Sequence, residues 1–279
     1  MRECTGDNLG NVSEAQSCDF YDRGYGPQWQ SLYEMIRREV YDDYFGQFSF
    51  VSTANYDRIY RWLDVAQDSR VLDIACGRGA PALRLARSAG CMVVGVDNNA
   101  HAIDKATALA HEHGLSERVR FERYDASQSL PFPNSAFDAL TCIDALPYMD
   151  RPRAFAEWLR VIKPGGRLVF TDQVHTGPIS AAELAARSTT SSAMRVPSGY
   201  NERLLGAVGF ELLRWEDMSA TTAEIAERHC AARKAHADAL RASEGDVVFE
   251  EQNRYRAVAA RLARERRLSH LAFFVRKPV

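Results

Sequence analysis

Four stretches of this chain end on an aspartate, and those four carboxylates hold much of the chemistry the sequence can offer. Asp97 closes the apolar run CMVVGV, Asp125 follows VRFERY, Asp144 follows ALTCI, and Asp172 closes RLVFT. An ionised carboxylate is acceptor-only, so such a set suits a ligand rich in hydroxyl and amine donors. A fifth stretch, VLDIACGRG over residues 71–79, runs from an apolar segment into a glycine-bearing turn, where backbone can approach a bound molecule closely. His175, three residues past Asp172, has the intrinsic pKa best placed for a base. Tyr148 brings apolar area and one hydrogen bond.

These groups need a scaffold that converges them. Apolar runs at 70–74, 91–96, 119–121, 139–143 and 167–172 read as strands, and helical spacing follows the glycine turn up to about residue 86 and fills the gaps at 100–113 and 152–161. Strands that are continuous apolar runs, alternating with helices, predict a mostly parallel sheet covered on both faces. Ligands in such sheets sit beyond the C-terminal strand ends, where the four aspartates are expected. The turn KPGG at 163–166 is expected to lead a helix into the fifth strand, which closes at Asp172.

Before the sheet, Trp29, Leu32, Tyr33, Ile36 and Val40 advance by threes and fours, as one helix face does. Ser52 or Thr53 is placed to cap a second helix with the face Tyr56, Ile59, Tyr60, Leu63. An aromatic band around Tyr41, Tyr44, Phe45 and Phe48 lies between them, and Phe20, Tyr21 and Tyr25 stand in an otherwise polar N-terminus. After the fifth strand come helices near 181–189 and 199–208 and a strand at 210–215. Two helices at 221–242 and 247–267 come next, broken at Ser243-Glu244-Gly245, before the last strand. That inserted pair is expected to serve as a substrate lid or as a packing or dimerisation element.

The chain of 279 residues is 46% hydrophobic and 26% charged, with 35 basic against 37 acidic side chains and a formal charge of −2. The balance gives no general pull toward nucleic acid. No run reaches the roughly 18–20 apolar residues of a membrane span, and the N-terminus is unlike a secretory signal. Six scattered cysteines lack metal-ligand spacing, and Cys76, Cys91 and Cys142 are expected to be buried and reduced. His111 and His113 do not share a helix face, so no metal site is expected. These features together predict a cytoplasmic protein.

Over about residues 55–175 the chain resembles the class I, Rossmann-like S-adenosylmethionine-dependent methyltransferases of small molecules. VLDIACGRG matches their first motif, with Ala75 where glycine is frequent, a replacement expected to keep negative φ. The resemblance implies that Asp73, Ala75, Cys76, Gly77 and Gly79 lie against the amino-acid part of the cofactor. It implies that Asp97, with Asn98 beside it, accepts from the ribose hydroxyls, and that Asp125 and Ala126 meet the adenine. Ile143 and the N-terminal Tyr41 complete the cofactor-binding set. SLPFPNSAFDAL and RVIKPGGRLVFTD are further family segments, whereas the LHHxxD-like histidine of many relatives is missing from Asp144-Ala-Leu-Pro147-Tyr148-Met149-Asp150.

The likeness implies a seven-stranded α/β fold in a single domain, 1–279. Its core would span about 55–215 and 268–279, with an N-terminal cap at about 20–54 and a helical insertion at about 220–267. The implied activity is methyl transfer to an O, N or C nucleophile of a bulky, largely apolar small molecule, with His175, Asp172, Asp144 and Tyr148 as catalytic candidates. A small-molecule substrate is expected, with no nucleic acid or membrane partner and a homodimer left open. The alternatives are a cofactor-retaining cyclase or pericyclic enzyme, or an RNA or protein methyltransferase suggested by the Arg-rich segment 254–267.

Overall fold

The structure is a computed structural model that describes residues 30–188 and 194–279. Readings that fall on Phe20, Tyr21, Tyr25 and Trp29 lie outside the described residues. Helix α1 (Gln30–Val40) buries Ile36 and Val40, and α2 (Thr53–Leu63) begins where Ser52 accepts a hydrogen bond from the Asn55 N–H at 3.2 Å. The predicted face of α2, Tyr56, Ile59, Tyr60 and Leu63, is the buried one.

The alternating part runs β1 (Arg70–Ile74), α3 (Ala80–Ala89), β2 (Met92–Asp97), α4 (Ala100–Glu112), β3 (Val119–Arg123), β4 (Phe137–Cys142), α5 (Arg151–Val161) and β5 (Ile162–His175). Then come α6 (Ala181–Ser188), the two-residue β6 (Val196–Pro197), α7 (Tyr200–Val208), β7 (Glu211–Asp217), α8 (Ser219–Ala235), α9 (Ala237–Arg264) and β8 (Leu268–Arg276). The sheet order is β3-β2-β1-β4-β5-β8-β7, with β6 beside the end of β5. Only β8 runs against its neighbours. Period-2 alternation divides the core: Leu72, Ile74, Leu140 and Phe170 pack toward α5 and α7, while Val71, Ala139 and Val169 pack toward α2 and α3.

Three boundaries differ from the sequence reading. Residues 163–166 are drawn into β5, because Gly165 N–H donates to Lys277 O at 2.8 Å and Lys277 N–H to Gly166 O at 2.9 Å. At its other end β5 passes Asp172 and continues to His175, held by antiparallel pairing with Leu268–Leu271. The inserted helices also divide earlier than expected, at His236, and Gly245 (φ 79, ψ 160) kinks α9 without ending it. Beside that kink Glu244 forms a buried ion pair with Arg233 and accepts from the Tyr33 hydroxyl, so tertiary contacts hold the bend. Together α1, α8 and α9 share a core of Ile36, Val40, Tyr41, Ile225, Leu240 and Phe249, forming one cover over the sheet edge.

Candidate active site

The glycine turn begins one residue past β1. Cys76 N–H donates to Val96 O at 3.0 Å, which ties the turn to β2, and the bend this requires places Ala75 at φ +54. The expectation of negative φ at Ala75 is thereby corrected: an alanine occupies the left-handed region, at a cost of about 1–2 kcal/mol. Gly79 (φ +78) has no alternative, since a Cβ there would meet Phe121 at 2.5 Å and Ala106 at 2.7 Å. Gly77 N–H donates to Asp97 Oδ2 at 2.9 Å and Asn99 N–H to Asp97 Oδ1 at 2.9 Å. The turn and the end of β2 therefore meet at one carboxylate, and each oxygen keeps acceptor capacity. Burial pushes the Asp97 pKa up, and the Asn99 and Gly77 amides pull it back. Asn98 is exposed next to it, with its carbonyl accepting from Arg123 at 3.1 Å.

Asp73 is the buried carboxylate of this motif. It lies beneath the turn, 4% exposed, and accepts from the Thr141 hydroxyl at 2.7 Å. Burial raises its pKa to about 7. Asp125 sits just past β3 and accepts from Ser127 N–H at 2.9 Å, while Ala126 packs against the core. Burial works to raise the Asp125 pKa, but hydrogen bonds from Ser127 and Gln128 and the charge of Arg153 lower it.

Asp144 joins sheet and cover. Its Oδ1 accepts from Thr171 Oγ1 at 2.7 Å and lies 2.7 Å from His270 Nε2, and its Oδ2 accepts from Phe50 N–H at 2.9 Å. His270 Nδ1 is 2.7 Å from the Thr222 hydroxyl of α8. Burial would raise the Asp144 carboxyl; His270, Thr171 and Phe50 outweigh it and hold the pKa below the usual range. Asp144 is at φ +57, a region that aspartate tolerates better than most residues. Ile143, one residue before it, packs on the α2/α3 side. Tyr41 is 7% exposed, donates its hydroxyl to Ser49 O, and has its ring against Tyr44 and His229. It fastens α1 to the inserted helices.

Asp172 leaves the set of catalytic candidates. Its β5 position points it to the opposite face from Thr171, where it is 1% exposed, ion-paired with Arg151 at 3.0 Å and bonded to Asn201 at 2.7 Å. Of the four expected rim carboxylates, three are at strand ends and this one is in the core. His175 shares the face of Thr171 and Gln173. Its Nε2 is buried without a hydrogen-bond partner, and burial together with nearby Arg195 lowers its pKa. Tyr148 is half-buried on a short 3-10 turn, Leu146–Tyr148. The sequence reading missed Thr171, His270 and the Arg187–Arg195–Tyr255 group. A lone Thr or His on an apolar strand carries no local signal of its partner across the sheet.

A surface groove of about 670 Å³ between α2 and α3, lined by Asp57, Arg61, Leu83 and Arg84, contains none of these carboxylates. Among the described residues no three His, Cys, Asp or Glu side chains could hold a metal ion, and no helix is long and apolar enough to cross a membrane. Cys76, Cys91 and Cys142 are buried and free.

The fold is α/β with a doubly wound sheet, and its carboxyl edge, where sheets of this kind receive ligands, carries Asp97, Asp125 and Asp144. Residues 71–166 match the family described as "Methyltransferase domain". The chain is 30% identical over 225 residues to "Methyltransferase GfsG" of Streptomyces halstedii, covering 75% of this chain and 81% of that protein. It is 33% identical over 140 residues to the 27-O-demethylrifamycin SV methyltransferase of Amycolatopsis mediterranei, about half of each chain. Among solved structures, the [4+2]-cyclase SpnF superposes with a TM-score of 0.74 at 25% identity, covering 98% of this chain and 100% of that one. The chain belongs to the class I S-adenosylmethionine-dependent methyltransferase family and is an enzyme that uses that cofactor.

Proposed function

We propose that this enzyme, as one methyltransferase domain, methylates an O, N or C nucleophile of a bulky, largely apolar small molecule in secondary metabolism. The observation that carries the reading is the junction of the glycine turn with Asp97. A carboxylate with free acceptor capacity on both oxygens, set beside a backbone that glycine keeps open, suits a vicinal diol joined to an amino-acid tail. In this reading Asp97 holds the ribose, Asp125 and Ala126 the adenine, and Gly77 and Gly79 the methionine end.

When bound, the cofactor supplies an electrophilic methyl that already carries its leaving group. The protein's task is then to align the acceptor and exclude water, and positioning alone is worth effective molarities of roughly 10⁵–10⁸ M. The cover of α1, α8 and α9 does the excluding. Asp144, ionised and bonded through both oxygens, serves as a fixed negative charge beside the sulfonium and locks cover to sheet. His175 is kept neutral by its surroundings and is assigned the proton of a hydroxyl acceptor; an acidic carbon or a free amine demands less.

The same reading places the enzyme in the cytoplasm, without a nucleic-acid partner. Arg261 and Arg267 converge on Glu183 and Arg264 pairs with Glu227, so much of the Arg-rich segment is committed to carboxylates. Titration calorimetry with S-adenosylhomocysteine tests the central assignment. Asp97→Ala is expected to weaken binding at least tenfold, and wild-type affinity in that variant would remove Asp97 from the cofactor site. The full-length likeness to a cyclase favours one second reading, ring closure with the cofactor retained. A product heavier by one CH₂ supports methyl transfer, and an isomer of the substrate supports cyclisation.

A further inference from the structure

Two arginines, Arg187 and Arg195, gather inside the protein beyond Gln173, and neither has an acidic partner among the described residues. Arg187, 1% exposed, donates to Gln173 Oε1 at 2.8 Å and lies 3.8 Å over the Tyr255 ring. Arg195 Nε reaches the same Gln173 oxygen at 3.5 Å, and Arg187 donates also to Tyr255 O at 3.3 Å, so the acceptors of both guanidinium groups are neutral. Arg256 donates to Gln252. The Nε atoms of Arg187 and Arg256 are buried without a partner. Burial and like charge pull Arg195 and Arg256 down to about 10, and Arg187, Arg195 and Arg256 lower Tyr255 although burial works to raise it.

The nearest carboxylates are already committed, Asp172 to Arg151 and Asp144 to His270, Thr171 and Phe50. Arg195 and Tyr255 are only partly buried, so both keep surface that a bound molecule can reach. Gln173 is two residues past Thr171 on the same strand face, so the arginine pair it holds adjoins the Asp144 junction. Unpaired buried cations are costly, and they are costlier still near a site that receives a sulfonium.

We infer that the acceptor molecule carries an anionic group, a carboxylate or a phosphate ester, which sits against Arg195 and Tyr255. Arg187 positions both from behind, through Gln173 and the Tyr255 ring. Guanidinium geometry matches either oxyanion with two parallel hydrogen bonds. The substrate class becomes an apolar body with one acidic end, and this rests on the methyl transfer proposed above.

Three probes of equal chain length, decanoate, decyl phosphate and decanol, separate the outcomes when titrated below their aggregation limits into protein saturated with S-adenosylhomocysteine. Wild type is expected to bind at least one anion tenfold or more tighter than decanol, and the tighter anion assigns carboxylate or phosphate. Arg195→Gln is expected to bring all three within threefold, with Arg195→Lys between. Equal binding of decanol and both anions by wild type overturns the inference, as does an undiminished anion preference in Arg195→Gln. The wild-type comparison decides by itself if the variants do not fold. Failure to bind S-adenosylhomocysteine is read in the same titrations and counts against the methyltransferase reading alone.

Discussion

Asp73 and Asp97 are both pushed up by burial, but they lie on different sides of the same turn, and their behaviour with pH separates them. With a folded pKa of about 7 against roughly 3.9 in the unfolded chain, Asp73 binds a proton more tightly in the folded state. Its contribution to stability is greatest below pH 4 and is lost as pH rises toward 7. Asp73→Asn keeps an acceptor for Thr141 and removes the titration. Urea unfolding at pH 4, 5.5 and 7 should show the variant gaining on wild type at each step, and a constant difference would mean that Asp73 titrates normally. Ala75 presents a plainer case. Ala75→Gly relieves left-handed strain of about 1–2 kcal/mol and costs roughly 0.5–1 kcal/mol in chain entropy, so a net gain of about 0.5–1 kcal/mol is expected. A melting temperature raised by roughly 2 °C checks it. The motif was legible at this scale; the sign of φ at Ala75 was not, because it is set by where Val96 stands relative to β1.

Helix boundaries in the cover show how far propensity reaches. The Ala-, Arg- and Glu-rich composition of 219–264 announces helices, and Gly245 announces an interruption. The actual division at His236 depends on which helix packs on α1, which no local pattern states. Glu244 holds the arrangement, being ion-paired to Arg233 with both side chains almost fully buried. Glu244→Gln leaves the Arg233 charge buried and unpaired, a loss of about 3 kcal/mol. Amide exchange across 219–264 is expected to quicken roughly a hundredfold, with exchange in β1, β4 and β5 unchanged. Equal quickening in the sheet would show that cover and sheet open only together.

For the molecule as a whole, cofactor binding should report through stability. S-adenosylhomocysteine at about 100 times its Kd adds roughly 2.7 kcal/mol, an upward melting shift on the order of 5–10 °C in a chain of this size. A nicotinamide dinucleotide should give none, and in Asp97→Ala at the same concentration most of the shift should vanish. A shift with the dinucleotide and none with S-adenosylhomocysteine would contradict the assignment of the rim. Alternation of strand and helix dictates the parallel strands whose ends carry these groups, but not the strand order or the reversed β8. It brings His270 opposite Gln173 and carries it to Asp144 across more than a hundred residues.

Local order along the chain was enough to establish strands, helices, the glycine turn and the row of strand-end aspartates, because each depends on residues within a few positions of one another. Direction of a side chain across a sheet depends on register, and register was settled by β8, α5 and α7. That is why Asp172, read as a rim carboxylate, lies in the core against Arg151. It is also why the arginines around Gln173, distant in sequence and unremarked by any motif, came together only in the folded protein.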